Sequence, residues 1–119
     1  MNLMSPFPNE DRIVPENQVR FIELRAEPLD DPLKIRIYAK KPPSKEFPMI
    51  ELSILDSTNH VIVESTLISV FQEDFVLTMH IPQNAVENQP FTLHGKIIFE
   101  DPVGISDDQK TTFRLTNES

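Results

Sequence analysis

Three pairs of adjacent carboxylates punctuate the second half of this chain: Glu73 with Asp74, Glu100 with Asp101, and Asp107 with Asp108. A hard cation such as calcium takes about six to eight oxygen ligands, so acidic pairs drawn from separate loops are a sensible donor set for it. The set considered is Glu73, Asp74, Asp101, Asp107 and Asp108. Nitrogen ligands are scarcer. The histidines are His60, His80 and His94, and a metal would need them to converge to within about 2.0–2.2 Å of one point. Nucleophilic chemistry fares worse, because no serine sits in a Gly-x-Ser-x-Gly elbow and no histidine is placed to activate one. The absence of cysteine excludes disulfides and thiolate metal sites. Two glycines, Gly95 and Gly104, are too few for a phosphate-cradling loop. No catalytic group and no cofactor are expected, and the chain reads as a non-enzyme.

Whether any of these groups meet depends on the elements that carry them. Between residues 19 and 115 apolar and polar residues alternate in short runs, most plainly in Leu33-Lys34-Ile35-Arg36-Ile37-Tyr38-Ala39. Strand side chains point to opposite faces with a period of two, so each run is a strand with one dry and one wet face. The runs fall at 19–27, 33–40, 49–55, 60–70, 75–81, 91–100 and 111–115, separated by Pro, Asp, Asn and Ser. Ile22, Leu24 and Ala26 form the expected inner face of the first run. The phase of the fourth is ambiguous, since either Val61, Val63 and Leu67 or Ile62 and Ile68 can face inward. A core is expected from Ile35, Ile37, Leu52, Ile54, Leu77, Met79, Leu93, Ile97, Phe99 and Phe113. No stretch has convincing helical spacing; a single turn at 83–86 is the exception.

This pattern predicts an all-β fold, a seven-stranded antiparallel two-sheet Greek-key sandwich. Residues 1–17, with three prolines and no periodicity, read as a disordered arm, 18–116 as the domain and 117–119 as a tail. The hairpin over residues 50–63, Ile-Glu-Leu-Ser-Ile-Leu-Asp-Ser-Thr-Asn-His-Val-Ile-Val, resembles the C strand and its return strand in immunoglobulin-like and fibronectin type III-like domains. The segment 90–104 followed by 111–115 is similar to their F and G strands. The resemblance implies the sandwich and carries no obligatory chemistry.

In such a sandwich the loops after the second, fourth and sixth strands share one end, which would gather the acidic pairs. Lys40, Lys41 and Lys45 belong to that end too, and they would compete for the carboxylates as a solvated ion-pair rim. His80 and His94 fall on outer faces of different sheets, pointing apart.

The net charge of −8 argues against nucleic acid or an anionic membrane as partner. No signal peptide and no membrane-spanning run is visible, so a cytoplasmic location is expected. The leading expectation is a non-catalytic interaction module, with a cation- or small-ligand-binding domain built on the acidic loops as the alternative. Charges guard the first and last strands, whereas the fourth region, Val61-Ile62-Val63 and Leu67-Ile68-Ser69-Val70-Phe71, has only Glu64 and two small polar residues between its apolar groups. A protein partner or a second copy adding at a strand edge is therefore expected there, through Ile62, Ile68 and Val70.

Overall fold

A computed structural model describes residues 13–31, 33–100 and 104–115. Among these residues seven strands run β1 (Glu23–Pro28), β2 (Lys34–Lys40), β3 (Met49–Leu55), β4 (Val61–Leu67), β5 (Asp74–His80), β6 (Phe91–Phe99) and β7 (Gly104–Phe113). They form two antiparallel sheets with orders β1-β2-β5 and β4-β3-β6-β7. The chain changes sheet after β2, β4 and β5, which is the immunoglobulin-like Greek-key arrangement. Glu16–Gln18 and Gln83–Ala85 are single 3-10 turns.

Strict alternation decides the faces. Ile35, Ile37 and Ala39 on β2 meet Ile50, Leu52 and Ile54 on β3 and Phe91, Leu93, Ile97 and Phe99 on β6, all essentially buried. Each buried Ile, Leu or Phe contributes about 1.5–3 kcal/mol over its exposed state. Met79 joins this core, with Leu77 and Phe113 packed against it. Phe113 lies opposite Phe91, their ring centroids 5.7 Å apart.

The structure corrects three boundaries or faces. Residues 13–17 are not a detached arm: the Val14 amide donates to the Pro43 carbonyl (3.1 Å), and the Val14 side chain packs against the core. Residues 1–12 and the tail 117–119 lie outside the described residues. On the first strand Ile22 points outward at 69% exposure, and Phe21 is buried in its place. The last strand begins at Gly104, so Ser106, Asp107, Asp108 and Gln109 belong to β7 and not to a loop. Polar residues at every position of 106–112 hide this strand from a search for apolar alternation.

The phase of the fourth strand is ambiguous in the sequence because the strand holds a β-bulge. Ile54 faces Val63 and Leu55 faces Val61, so Ile62 is the extra residue. A bulge lets two consecutive side chains lean the same way, and both Ile62 and Val63 pack against the core.

Phe21 is inward because its segment switches partner. A second bulge, at Ser106, lies between the pairs Ile97–Asp107 and Ile98–Ile105. Ser106 and Asp107 thereby reach the chain entering β1. Ser106 Oγ donates to the Val19 carbonyl (3.0 Å), and the Phe21 amide donates to Asp107 Oδ2 (2.7 Å). Gln109 Nε2 donates to the Phe21 carbonyl (3.1 Å), and the Arg20 guanidinium donates to the Ser106 carbonyl. Side chains of β7 stand in for a strand ladder, and this covers an edge that would otherwise offer free backbone groups. Phe21 then lies on Gly95 at the centre of β6, where a Cβ would come within 3.1 Å of its ring.

Candidate interaction surface

Among the described residues the expected gathering of carboxylates is not seen. The ends of β2, β4 and β6 do lie together: Lys40 pairs with Asp74, Ile50 with Leu67 and Met49 with Ile98, and the Val70 amide joins the two connecting loops at the Pro48 carbonyl. Asp74 opens β5 across from Lys40, and the Glu73 carbonyl accepts the Lys41 amide (2.8 Å). The Lys41 side chain is buried at 2% exposure, and burial pulls its pKa below the ordinary lysine value, with the Glu73 charge opposing the shift. Asp107 and Asp108 sit instead within β7, roughly 10 Å along the strand at about 3.3 Å per residue. Asp107 is used structurally: besides the Phe21 amide it accepts Gln109 Nε2 (2.8 Å) and the Asp108 amide (2.9 Å). Asp108 pairs with His94. Asp101 lies outside the described residues. Among the described residues no three His, Asp or Glu side chains are grouped so as to hold a metal ion.

The histidines separate as well. His80 ends β5 in one sheet and His94 lies on the outer face of β6 in the other. His60 follows the turn between β3 and β4, whose keystone is Asp56. The buried Asp56 carboxylate accepts the Thr58 hydroxyl (2.7 Å), the Thr58 amide (2.9 Å) and the His60 amide (3.1 Å). The Thr58 hydroxyl, and then the two amides, hold its pKa below the usual aspartate value.

On the outer face of the four-stranded sheet, cross-strand rows read Glu64, Ser53, His94, Lys110 and Thr66, Glu51, Lys96, Asp108. Opposite charges meet their neighbours, which makes this a balanced, solvated face. Its recess of about 450 Å³ is lined by such polar groups and has no aromatic platform.

The apolar residues at the loop end behave differently. Of the three expected contact residues, Ile62 is packed into the bulge and Val70 is buried, its amide bound to the Pro48 carbonyl (2.8 Å). Ile62 is therefore half-buried and Val70 fully so. Ile68 is 77% exposed. Phe71, the end of that apolar region, stands beside it together with Phe47, which strand patterning passes over because a loop aromatic leaves no periodic signal. Phe47 and Phe71 are both exposed, with ring centroids 5.9 Å apart. Ile68 forms a ridge between two open grooves. One, of about 470 Å³, is lined by Phe47, Met49, Ile68 and Ile98 with Glu46 and Glu100 at its margins. The other, of about 360 Å³, runs past Phe71, Phe75 and Val76. Ser69, shared by both grooves, has φ 55°, a left-handed conformation uncommon outside glycine, asparagine and aspartate. That twist lets Ile68 point out while Val70 points in.

No protein-family model matches the sequence, and no curated protein does. Solved structures do share the fold. A β-glucuronidase of Parabacteroides merdae, with glycerol in its active site, aligns with 84% of this chain at a TM-score of 0.58 and 16% identity. A β-glucuronidase of Bifidobacterium dentium, complexed with coumarin-3-O-glucuronide, aligns with 82% at a TM-score of 0.50 and 14% identity. The matched region is 14% and 17% of those chains, so this chain spans about a sixth of their length or less. At such identities the likeness is one of fold alone. Among the described residues no helix is long and apolar enough to cross a membrane.

Proposed function

We propose that this chain is a non-catalytic accessory sandwich that works by contact with another protein surface. The observation carrying this reading is where its side chains are spent. The groups with chemical potential, Asp56, Asp107, Ser106 and Gln109, are engaged in holding turns and sheets together. Three large apolar side chains at one end are left in water. Single exposed apolar residues are ordinary on any protein surface, whereas a contiguous group marks a contact site. Sandwiches of this shape within much larger β-glucuronidase chains support an accessory role without transferring their activity.

Incubating the purified chain with aryl glycosides, 4-nitrophenyl β-glucuronide among them, tests the non-catalytic reading. Release of nitrophenol is expected to match the protein-free control. Turnover that scales with protein and disappears in a His94→Ala or Asp108→Asn variant would overturn it.

A further inference from the structure

Resting on the accessory-module reading, we propose that the Phe47, Ile68 and Phe71 end docks a protein segment whose apolar side chains are bordered by lysine or arginine. The apolar half of that description follows from the surface itself. Phe47, Ile68 and Phe71 are 58%, 77% and 64% exposed, the two rings are in contact, and Ile68 borders both grooves. The surface is also preformed. Pro48 and Val70 are buried and joined by a backbone hydrogen bond, so the loops carrying Phe47 and Phe71 are pinned to one another. A partner meeting a fixed surface loses less binding energy to ordering it.

Charge supplies the second half. Glu46 and Glu100 flank the larger groove. Among the described residues neither carboxylate has an ion-pair partner. The basic groups of that end offset them only in part, one exposed free lysine standing against two free carboxylates. Lys41 is buried, Lys40 lies across from Asp74, and Lys45 is exposed without an ion pair among the described residues. An apolar floor with acidic margins is complementary to apolar anchors flanked by cations. It disfavours a second copy of this chain, which would bring the same acids and a net charge of −8.

The probe is a short amphipathic peptide of leucine and lysine, titrated into the isotope-labelled full chain and followed by amide and methyl NMR. A leucine–glutamate peptide of the same length is the control. Saturable shifts are expected at Phe47, Ile68, Ser69, Phe71 and Ile98 with the lysine peptide, and none with the glutamate peptide. Ile68→Ser should weaken binding about tenfold or more, because it removes the central anchor. Glu46→Gln with Glu100→Gln should weaken it several-fold and flatten its dependence on salt. None of these side chains is in the core, and unchanged circular dichroism and urea midpoints establish that the variants fold. Equal binding of the glutamate peptide, no saturable binding of the lysine peptide, or an unaffected Ile68→Ser variant would each overturn the proposal. So would sedimentation showing a dimer of the chain alone that Ile68→Ser dissociates, since the occupant would then be a second copy. Peptide shifts confined to the polar face around His94 would sink this surface while leaving the accessory-module reading intact; only turnover removes the latter.

Discussion

Replacing Gly95 by alanine should destabilise the protein, and the reason lies in a residue far away in sequence. Gly95 sits on the buried face of β6, paired with Leu52 on one side and Gln109 on the other. A Cβ at this position would come to 2.9 Å from Leu24 Cδ2 and 3.1 Å from two atoms of the Phe21 ring. The leucine methyl can turn away. The ring cannot do so freely, because the Phe21 backbone is held at both its amide and its carbonyl by Asp107 and Gln109. Overpacking of this kind costs about 1–3 kcal/mol. Trading glycine for alanine in a strand returns about 0.5–1 kcal/mol through the unfolded state. The net expectation is a loss of about 1 kcal/mol. The chain has no tryptophan and one tyrosine, so urea unfolding is best followed by far-ultraviolet circular dichroism. With a slope of about 1.5 kcal/mol per molar urea, the midpoint should fall by about 0.7 M. The decisive variant is Phe21→Leu, which removes the ring atoms that meet the new methyl. In that background Gly95→Ala should be neutral or stabilising, a coupling of about 1–2 kcal/mol between residues 74 positions apart. Equal losses in both backgrounds would refute the placement of Phe21 across β6.

The remaining predictions concern turns and buried charge. Asp56 is held below its ordinary pKa, so it contributes stability that is present above the unfolded value of about 3.9 and lost as pH falls through the folded one. Urea midpoints measured from pH 6 downward should therefore fall less steeply in Asp56→Asn than in the native chain. Burial lowers the pKa of Lys41, so the unfolded chain binds the extra proton and stability rises with pH towards the unfolded value of about 10.4. A Lys41→Met variant should lose that alkaline rise; an identical rise in both proteins would place its origin elsewhere. Gly104 has φ 74° and open space, with no atom within 4 Å of where a methyl would stand, so Gly104→Ala should cost about 1 kcal/mol from backbone strain alone. Ser69→Gly, at φ 55°, should gain a few tenths of a kcal/mol in the same assay, and a loss there would contradict the left-handed assignment.

Strand identity is written in the chain by itself wherever a strand has one wet and one dry face. Residues 33–39 and 50–54 alternate strictly, and they fall in β2 and β3 with the expected inner residues Ile35, Ile37, Leu52 and Ile54 buried. The hairpin expected at residues 50–63 is present, β3 pairing with β4, and the last two strands pair as β6 and β7, although β7 begins at Gly104 and not at residue 111. Local pattern suffices there because a pleated strand reports its faces residue by residue. It fails where geometry departs from period two. The bulge at Ile62 inserts an extra residue and makes the fourth strand ambiguous, while the unbroken polar run 106–112 gives the seventh the look of an acidic loop. Only the tertiary structure could turn Asp107 from a candidate calcium ligand into the acceptor of the Phe21 amide, 86 positions away. The contact surface divides the same way. The exposure of Ile68 was foreseeable from its place in an apolar run with no consistent face. Bringing Phe47 and Phe71 beside it, and hiding Val70, required the crossing of two loops between sheets. That crossing is set by long-range packing, which leaves no periodic trace in the amino-acid sequence.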